Sequence, residues 1–227
     1  MNNKEQIWAV LLGVGAVTLG SLVFVYRNAI KKTLSSFKNK LVKVANEEWN
    51  AWNSEGRIKE GDSRTMDRLR SYWREGGNVN WSDKKMIDEA WSSAFISYLM
   101  QKGGAGDEFP KTVSHSEYIR KAVKNRKENN TNPFKAYRVD EPEAKVEVGD
   151  LVCYPRQASA TYDTTGAYMS HCDLVTEIKG DEAITIGGNV GNSVTKTIVP
   201  IDSKGFIDKS RDKKGYGGYF TVIKNKK

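Results

Sequence analysis

The chain has 227 residues, with 36 lysines and arginines against 28 aspartates and glutamates and a formal net charge of +8. That length suits one globular domain plus an appendage, and the positive balance suits anionic surroundings such as membrane lipid, a bacterial wall polymer or nucleic acid. Two cysteines and two histidines, without a CxxC or a Cys/His cluster at zinc spacing, exclude a disulfide-built scaffold and a structural metal site; no Walker loop or GxGxxG opens a helix, so no cofactor is expected.

Residues 7–26 carry no charge, and as a helix they would span about 30 Å, enough to cross a bilayer. Trp8 and Tyr26 stand at the two ends, where interfacial aromatics belong. The run is too long for the apolar part of a cleavable leader. The expected organisation is therefore a membrane anchor over 1–30 touching lipid through 7–26, an amphipathic linker helix over 31–52, and a globular domain over 53–227. Arg27, Lys31, Lys32, Lys38, Lys40 and Lys43 crowd the C-terminal flank, which by the positive-inside rule puts the domain in the cytoplasm. The Gly- and Ala-rich span instead resembles the signal-anchor-release segments of phage lysins, which end on the outer side. Both orientations stay open.

In the linker helix Leu34, Phe37, Leu41, Val44, Ala45 and Trp52 form a helical stripe, with Glu48 as the polar exception. A second helix over about 65–74 carries Met66, Leu69, Tyr72 and Trp73 and stops at Gly76-Gly77. Ser82 offers a further helix cap. Trp91, Ala94, Phe95, Tyr98 and Leu99 then recur at steps of three and four and end at Gly103-Gly104. Ser114 with Glu117 fits a capping box for a helix to about residue 125. Beyond Pro142 the period becomes strand-like: 151–154, 171–178, 183–186, 193–199 and 219–223 read as four or five antiparallel strands. Helices first and strands afterwards indicate an α+β fold, a small antiparallel sheet packed on helices.

Three residues carry the chemistry. Ser92 opens the Trp91 helix, where backbone N–H groups lack intrahelical partners and can hold a developing oxyanion. His171 starts one strand and serves as general base; Asn189 ends the next and fixes the imidazole tautomer. A plainer role for Ser92 is to cap a core helix. Trp91, His115, Tyr154 and Asp173 are read as substrate-facing, with Arg156 and Tyr168 as further cleft residues. His115 is also the reserve base. Asp173 is the alternative orienting group, set against by Cys172 standing between it and His171. Cys172 and Cys153 read as small core residues, or as a disulfide if both lie on paired strands in an oxidising compartment.

The stretch Trp91-Ser92-Ser93-Ala94-Phe95-Ile96-Ser97 resembles the Trp-Cys-Ala-Ala-Phe-Val motif of CHAP and NlpC-type amidases and peptidases. Gly149-Asp150-Leu151-Val152 resembles their first strand, and His171-Cys172-Asp173-Leu174-Val175 the strand of the catalytic histidine. The same motifs, with the His115-Ser-Glu-Tyr118-Ile119 segment and Gly187-Gly188-Asn189-Val190, resemble domain-of-unknown-function family 2272. The resemblance implies a papain-like fold and cleavage of amide bonds in peptidoglycan, as in wall remodelling or phage or injection-type attack. It also shows a departure, because Ser92 stands where that pattern has cysteine. A hydroxyl does not ionise as a thiolate does, and so it depends on a true general base. The competing readings are a catalytically silent tethered module and a lipid-directed acyl hydrolase. Nucleic acid is not expected as a partner, since the basic groups are separated and no recognition motif accompanies them.

Overall fold

The computed structural model describes residues 37–54 and 56–227. Helix α1 covers residues 37–53 of this part. Its buried residues Phe37, Leu41, Ala45, Glu48 and Trp52 fall on one face, as the apolar stripe requires. Glu48, the polar exception, accepts from Arg68 Nη1 at 2.9 Å and from the hydroxyl of Tyr72, with Tyr98 Oη at 3.4 Å. A buried carboxylate is tolerated because its oxygens are so occupied.

Helix α2 (Met66–Ser71) runs directly into a π-helical turn, Tyr72–Gly76. A β-carbon on Gly76 would lie 2.0 Å from the carbonyl oxygen of Ala94. Only glycine lets this turn rest against the next long helix. Helix α3 (Asp83–Asp88) is capped by Ser82, whose side chain accepts from the Lys85 amide at 3.4 Å. Helix α4 (Ser92–Gly103) ends where Gly104 takes φ 104° and returns its amide to the Met100 and Gln101 carbonyls, a left-handed termination that glycine permits. Trp91 packs on both Trp52 and Tyr72, at ring separations of 5.1 and 5.6 Å, and those two rings also meet each other at 6.4 Å beside the first turn of α4. Helix α5 (His115–Lys127) follows Ser114 without a side-chain cap. Glu117 accepts from the Thr112 hydroxyl at 2.6 Å, and the Ser114 amide donates to Thr112 Oγ1 at 3.1 Å. The Thr112 hydroxyl thus stands between Ser114 and Glu117 and takes the Ser114 amide that a capping box assigns to the Glu117 carboxylate.

Six strands follow: β1 (Phe134–Arg138), β2 (Leu151–Pro155), β3 (Ser170–Lys179), β4 (Glu182–Gly187), β5 (Thr195–Pro200) and β6 (Thr221–Asn225). They form one sheet in the order β1-β6-β2-β3-β4-β5, with every neighbouring pair antiparallel. Leu151, Cys153, Cys172, Leu174, Ile186 and Ile223 join the core built by the helices. Val152, Val175, Ala183, Val199 and Val222 build a second cluster with Tyr137, Ile201 and Tyr219. The period of two along each strand divides these sets.

The α+β class and the antiparallel sheet agree with the sequence reading, while the strand count was low by the edge strand β1. The expectation of a transmembrane helix before the domain is corrected. Among the described residues no helix is long and apolar enough to cross a membrane, so a membrane location has no support in the structure. The anchor assigned to 7–26, and the first part of the linker helix, lie outside the described residues.

Candidate functional site

The first turn of α4 brings Ser92 to the start of α5, where Ser92 Oγ lies 2.7 Å from His115 Nε2. The other ring nitrogen of His115 is hydrogen bonded to the hydroxyl of Tyr118, one turn further along α5. A side chain three residues on in a helix lies over the same face, so Tyr118 is placed by α5 itself to orient the imidazole. Burial first, then the nearby His171 and Arg156, holds His115 well below the usual histidine range. At neutral pH its ring is uncharged, the state that accepts a proton.

A second imidazole stands beside the first, with the rings of His115 and His171 5.1 Å apart. His171 Nε2 is 2.8 Å from Asp173 Oδ1. The two residues are two apart on β3 and project to one side, as strand geometry requires. Arg156 Nη2 lies 3.1 Å from His171 Nδ1. A guanidinium has only donors, so Nδ1 accepts and the hydrogen sits on Nε2, directed at Asp173. Asp173 is kept in place from β4, where the backbone of Gly187 presses against it. Tyr154, paired with His171 in the β2–β3 register, sets its ring 5.3 Å from the imidazole. Burial and the Asp173 charge push its phenol pKa up.

The predicted residues therefore regroup. Ser92, expected beside His171, is hydrogen bonded to His115. Asp173 occupies the orienting position given to Asn189, which sits half-buried in the turn after β4 at φ 55°; among the described residues no hydrogen bond joins it to His171. Trp91, expected to face substrate, is fully buried and donates from Nε1 to Glu60. Tyr118 was read only as part of a family motif. Its signal was the helical step from His115. Asp173 was set aside because Cys172 intervenes, yet a step of two is the one that shares a strand face. Cys172 projects to the opposite side and is joined to Cys153 by a disulfide, one of the two outcomes left open by the sequence.

Buried hydroxyls mark the surroundings. Tyr168 Oη, Ser170 Oγ and Tyr219 Oη lie close to this cluster in chain or space and have no hydrogen-bond partner among the described residues, a state rare enough in folded proteins to call for explanation. Burial raises the Tyr168 phenol to about 12 and the Tyr219 phenol further still. A surface depression of about 590 Å³ is bordered by Val139, Asp140, Phe206 and Lys209 and includes none of these groups. Convergent chemistry, rather than open volume, identifies the site. Among the described residues no group of three or more His, Cys, Asp or Glu side chains is arranged to hold a metal ion.

Comparison with known families gives a match over residues 48–221 to DUF2272, described as an uncharacterized protein conserved in bacteria. The chain belongs to this family. The matched region runs from late α1 to the start of β6 and takes in Ser92, His115, Tyr118, Arg156, His171 and Asp173. Neither curated proteins nor solved structures gave a match.

Proposed function

We propose that this DUF2272 protein is a serine acyl hydrolase that cleaves amide bonds in peptidoglycan, with Ser92 as nucleophile and His115 as its base. One observation carries the reading: the 2.7 Å approach of Ser92 Oγ to His115 Nε2 at the start of a twelve-residue helix. For Oγ to give its proton to Nε2, the hydrogen on Nδ1 is donated to the Tyr118 oxygen. Oγ then attacks the acyl carbon. The first intrahelical bond of α4 runs from the Phe95 amide to the Trp91 carbonyl at 2.9 Å, so the preceding amides of Ser93 and Ala94 are donors available to the oxyanion. Protonated His115 returns the proton to the departing amine, and water hydrolyses the resulting ester. His171, held by Asp173, is the second imidazole of the site. The wall assignment draws support from the bacterial family, from the net charge of +8 suited to an anionic polymer, and from the likeness of residues 91–97 and 171–175 to CHAP and NlpC-type amidases.

A second reading, a wall-binding module without turnover, is favoured by enclosure: Ser92 is 3 % exposed and His171 0 %. Incubating the full chain with purified wall material, beside Ser92→Ala and Ser92→Cys, separates the two. New amino groups released by the parent and not by the Ala form establish catalysis, and retention of activity by the Cys form establishes a nucleophilic role. Binding without release in all three establishes the module.

A further inference from the structure

Among the described residues, Arg156 is the one solvent-exposed side chain bonded to the two-histidine cluster. It follows β2, its backbone amide donating to the Met169 carbonyl at 2.8 Å, and its guanidinium reaches inward to cap Nδ1 of His171. With Nε2–H committed to Asp173, Nδ1 carries the only lone pair of that imidazole, and Arg156 occupies it. The structure thus holds the second imidazole with both ring nitrogens hydrogen bonded.

The surroundings of Arg156 indicate what draws it away. The segment after Pro155 meets the 211–218 loop, where the Tyr216 amide donates to the Pro155 carbonyl at 3.2 Å and Lys214 Nζ stands 5.9 Å from the Tyr154 ring. Beside the two cations are exposed apolar groups, Met169 at 62 % and Tyr216 at 61 % exposure. The Asp173 carboxylate is buried and already hydrogen bonded to His171. A guanidinium and an ammonium that both stand at Tyr154, with an exposed aromatic ring and thioether on the adjoining segments, match a carboxylate attached to a short organic chain. Guanidinium binds carboxylate through two parallel charge-assisted hydrogen bonds, stronger than those to the neutral groups that Arg156 now holds, the His171 imidazole and the Tyr154 phenol.

We infer that Arg156 is a specificity residue: the site takes an acyl substrate bearing a carboxylate, and capture of that carboxylate by Arg156 uncaps Nδ1 of His171. This deepens the hydrolase reading by naming the substrate class, and it rests on that reading only for turnover. The uncapped nitrogen is then free to accept a hydrogen bond from the leaving amine or the incoming water. No atom leaves Arg156; one hydrogen bond is exchanged for another.

The test begins with binding, so that it does not depend on catalysis. The chain has two histidines, so ¹⁵N-histidine labelling of the full chain gives two imidazoles, assigned with His115→Gln. The probes are N-acetyl-alanine and its carboxamide, titrated into both the parent and Ser92→Ala. The carboxylate is expected to move the His171 Nδ1 resonance towards that of a free acceptor nitrogen, and the carboxamide to leave it in place. No movement at saturating carboxylate, or equal movement with the amide, overturns the inference whatever becomes of the hydrolase reading. On the activity side, the parent is expected to favour a peptide ending in carboxylate over its amide by about tenfold in kcat/KM, the worth of one charge-assisted bond. Arg156→Gln removes that preference and Arg156→Lys keeps part of it. A preference unchanged in Arg156→Gln also overturns the inference, whereas turnover absent from the parent while the resonance still moves overturns only the hydrolase.

Discussion

Gly187 leaves so little room beside Asp173 that a β-carbon on it would lie 1.8 Å from Asp173 Oδ1. That oxygen is the acceptor for His171 Nε2, so a small residue on β4 fixes where the partner of an imidazole on β3 can stand. The neighbouring Gly188 is pressed in the same way against Phe95 of α4, where a β-carbon on it would lie 2.5 Å from Phe95 Cβ and Cγ, which ties the end of β4 to the helix bearing Ser92.

Gly187→Ala is therefore expected to do two things. The methyl displaces Asp173 or the strand, costing about 1–3 kcal/mol as overpacking does, readable as a lower urea midpoint. It also breaks the His171–Asp173 bond, which ¹⁵N imidazole spectra report as a shift of the His171 Nε2–H resonance. A spectrum unchanged from the parent would show that Asp173 does not orient His171.

His115 gives a pH dependence of definite sign. Burial, with His171 and Arg156 nearby, holds its folded-state pKa well below the ordinary value of 6.5. Below pH 6.5 the unfolded chain binds a proton that the folded chain refuses, so stability rises with pH up to about 6.5 and is then flat in this contribution. On acidification from 6.5 down to the folded pKa it falls, with a limiting slope of about 1.4 kcal/mol per pH unit. Denaturant melts of the parent and His115→Gln at pH 7, 6 and 5 measure it, and the Gln variant is expected to lose less on acidification. If His115 is the base for Ser92, the acid limb of kcat/KM lies below pH 6.5 too; a limb at or above that value would assign the base elsewhere.

How much of this was legible beforehand follows from the kind of signal each element carries. Helix α4 was visible because Trp91, Ala94, Phe95 and Leu99 repeat at helical spacing and Gly103-Gly104 stops them. β3 and β4 were visible because a turn at Gly180 divides two β-branched runs. β1, Phe-Lys-Ala-Tyr-Arg, passed unread because its charged residues interrupt the apolar pattern; it pairs only with β6 and lies at the sheet edge. The site was legible in its residue types and less so in its pairings. Ser92 meeting His115 depends on how the starts of α4 and α5 come together across a loop, and no sequence period encodes that. His171 meeting Asp173 was encoded, in the strand step of two.

The disulfide belongs to the site's framework. Cys153 and Cys172 face each other across β2 and β3, one residue from Tyr154 and between His171 and Asp173. Closing a loop with a sequence separation of 19 restricts the unfolded chain by about 3 kcal/mol in the chain-entropy account. Cys153→Ser with Cys172→Ser is expected to lower the denaturant midpoint correspondingly, and mass spectrometry of the parent after blocking free thiols should find none. A parent with two free thiols when isolated under oxidising conditions would contradict the cross-strand bond.

Asp150 and Lys224 carry the last expectation, and it concerns architecture rather than chemistry. Asp150 is fully buried, Lys224 nearly so, and the ammonium donates to Asp150, to Glu147 and to the Lys145 carbonyl. The carboxylate also accepts from the backbone amides of Glu147 and Asn225, at 2.9 and 3.0 Å. Through these bonds the residue before β2 fastens the end of β6, the strand between β1 and β2 in the sheet. Removing the carboxylate alone leaves an ammonium with little solvent, although Glu147 remains beside it. Asp150→Ala is thus expected to cost about 3 kcal/mol or more, as breaking a buried pair does. The double variant Asp150→Ala/Lys224→Met removes the stranded charge along with its partner and should recover part of that loss. Urea titrations of the parent, both single variants and the double variant close the cycle; strictly additive losses would mean that the two charges do not stabilise each other and that the latch resides in the backbone bonds of Asp150.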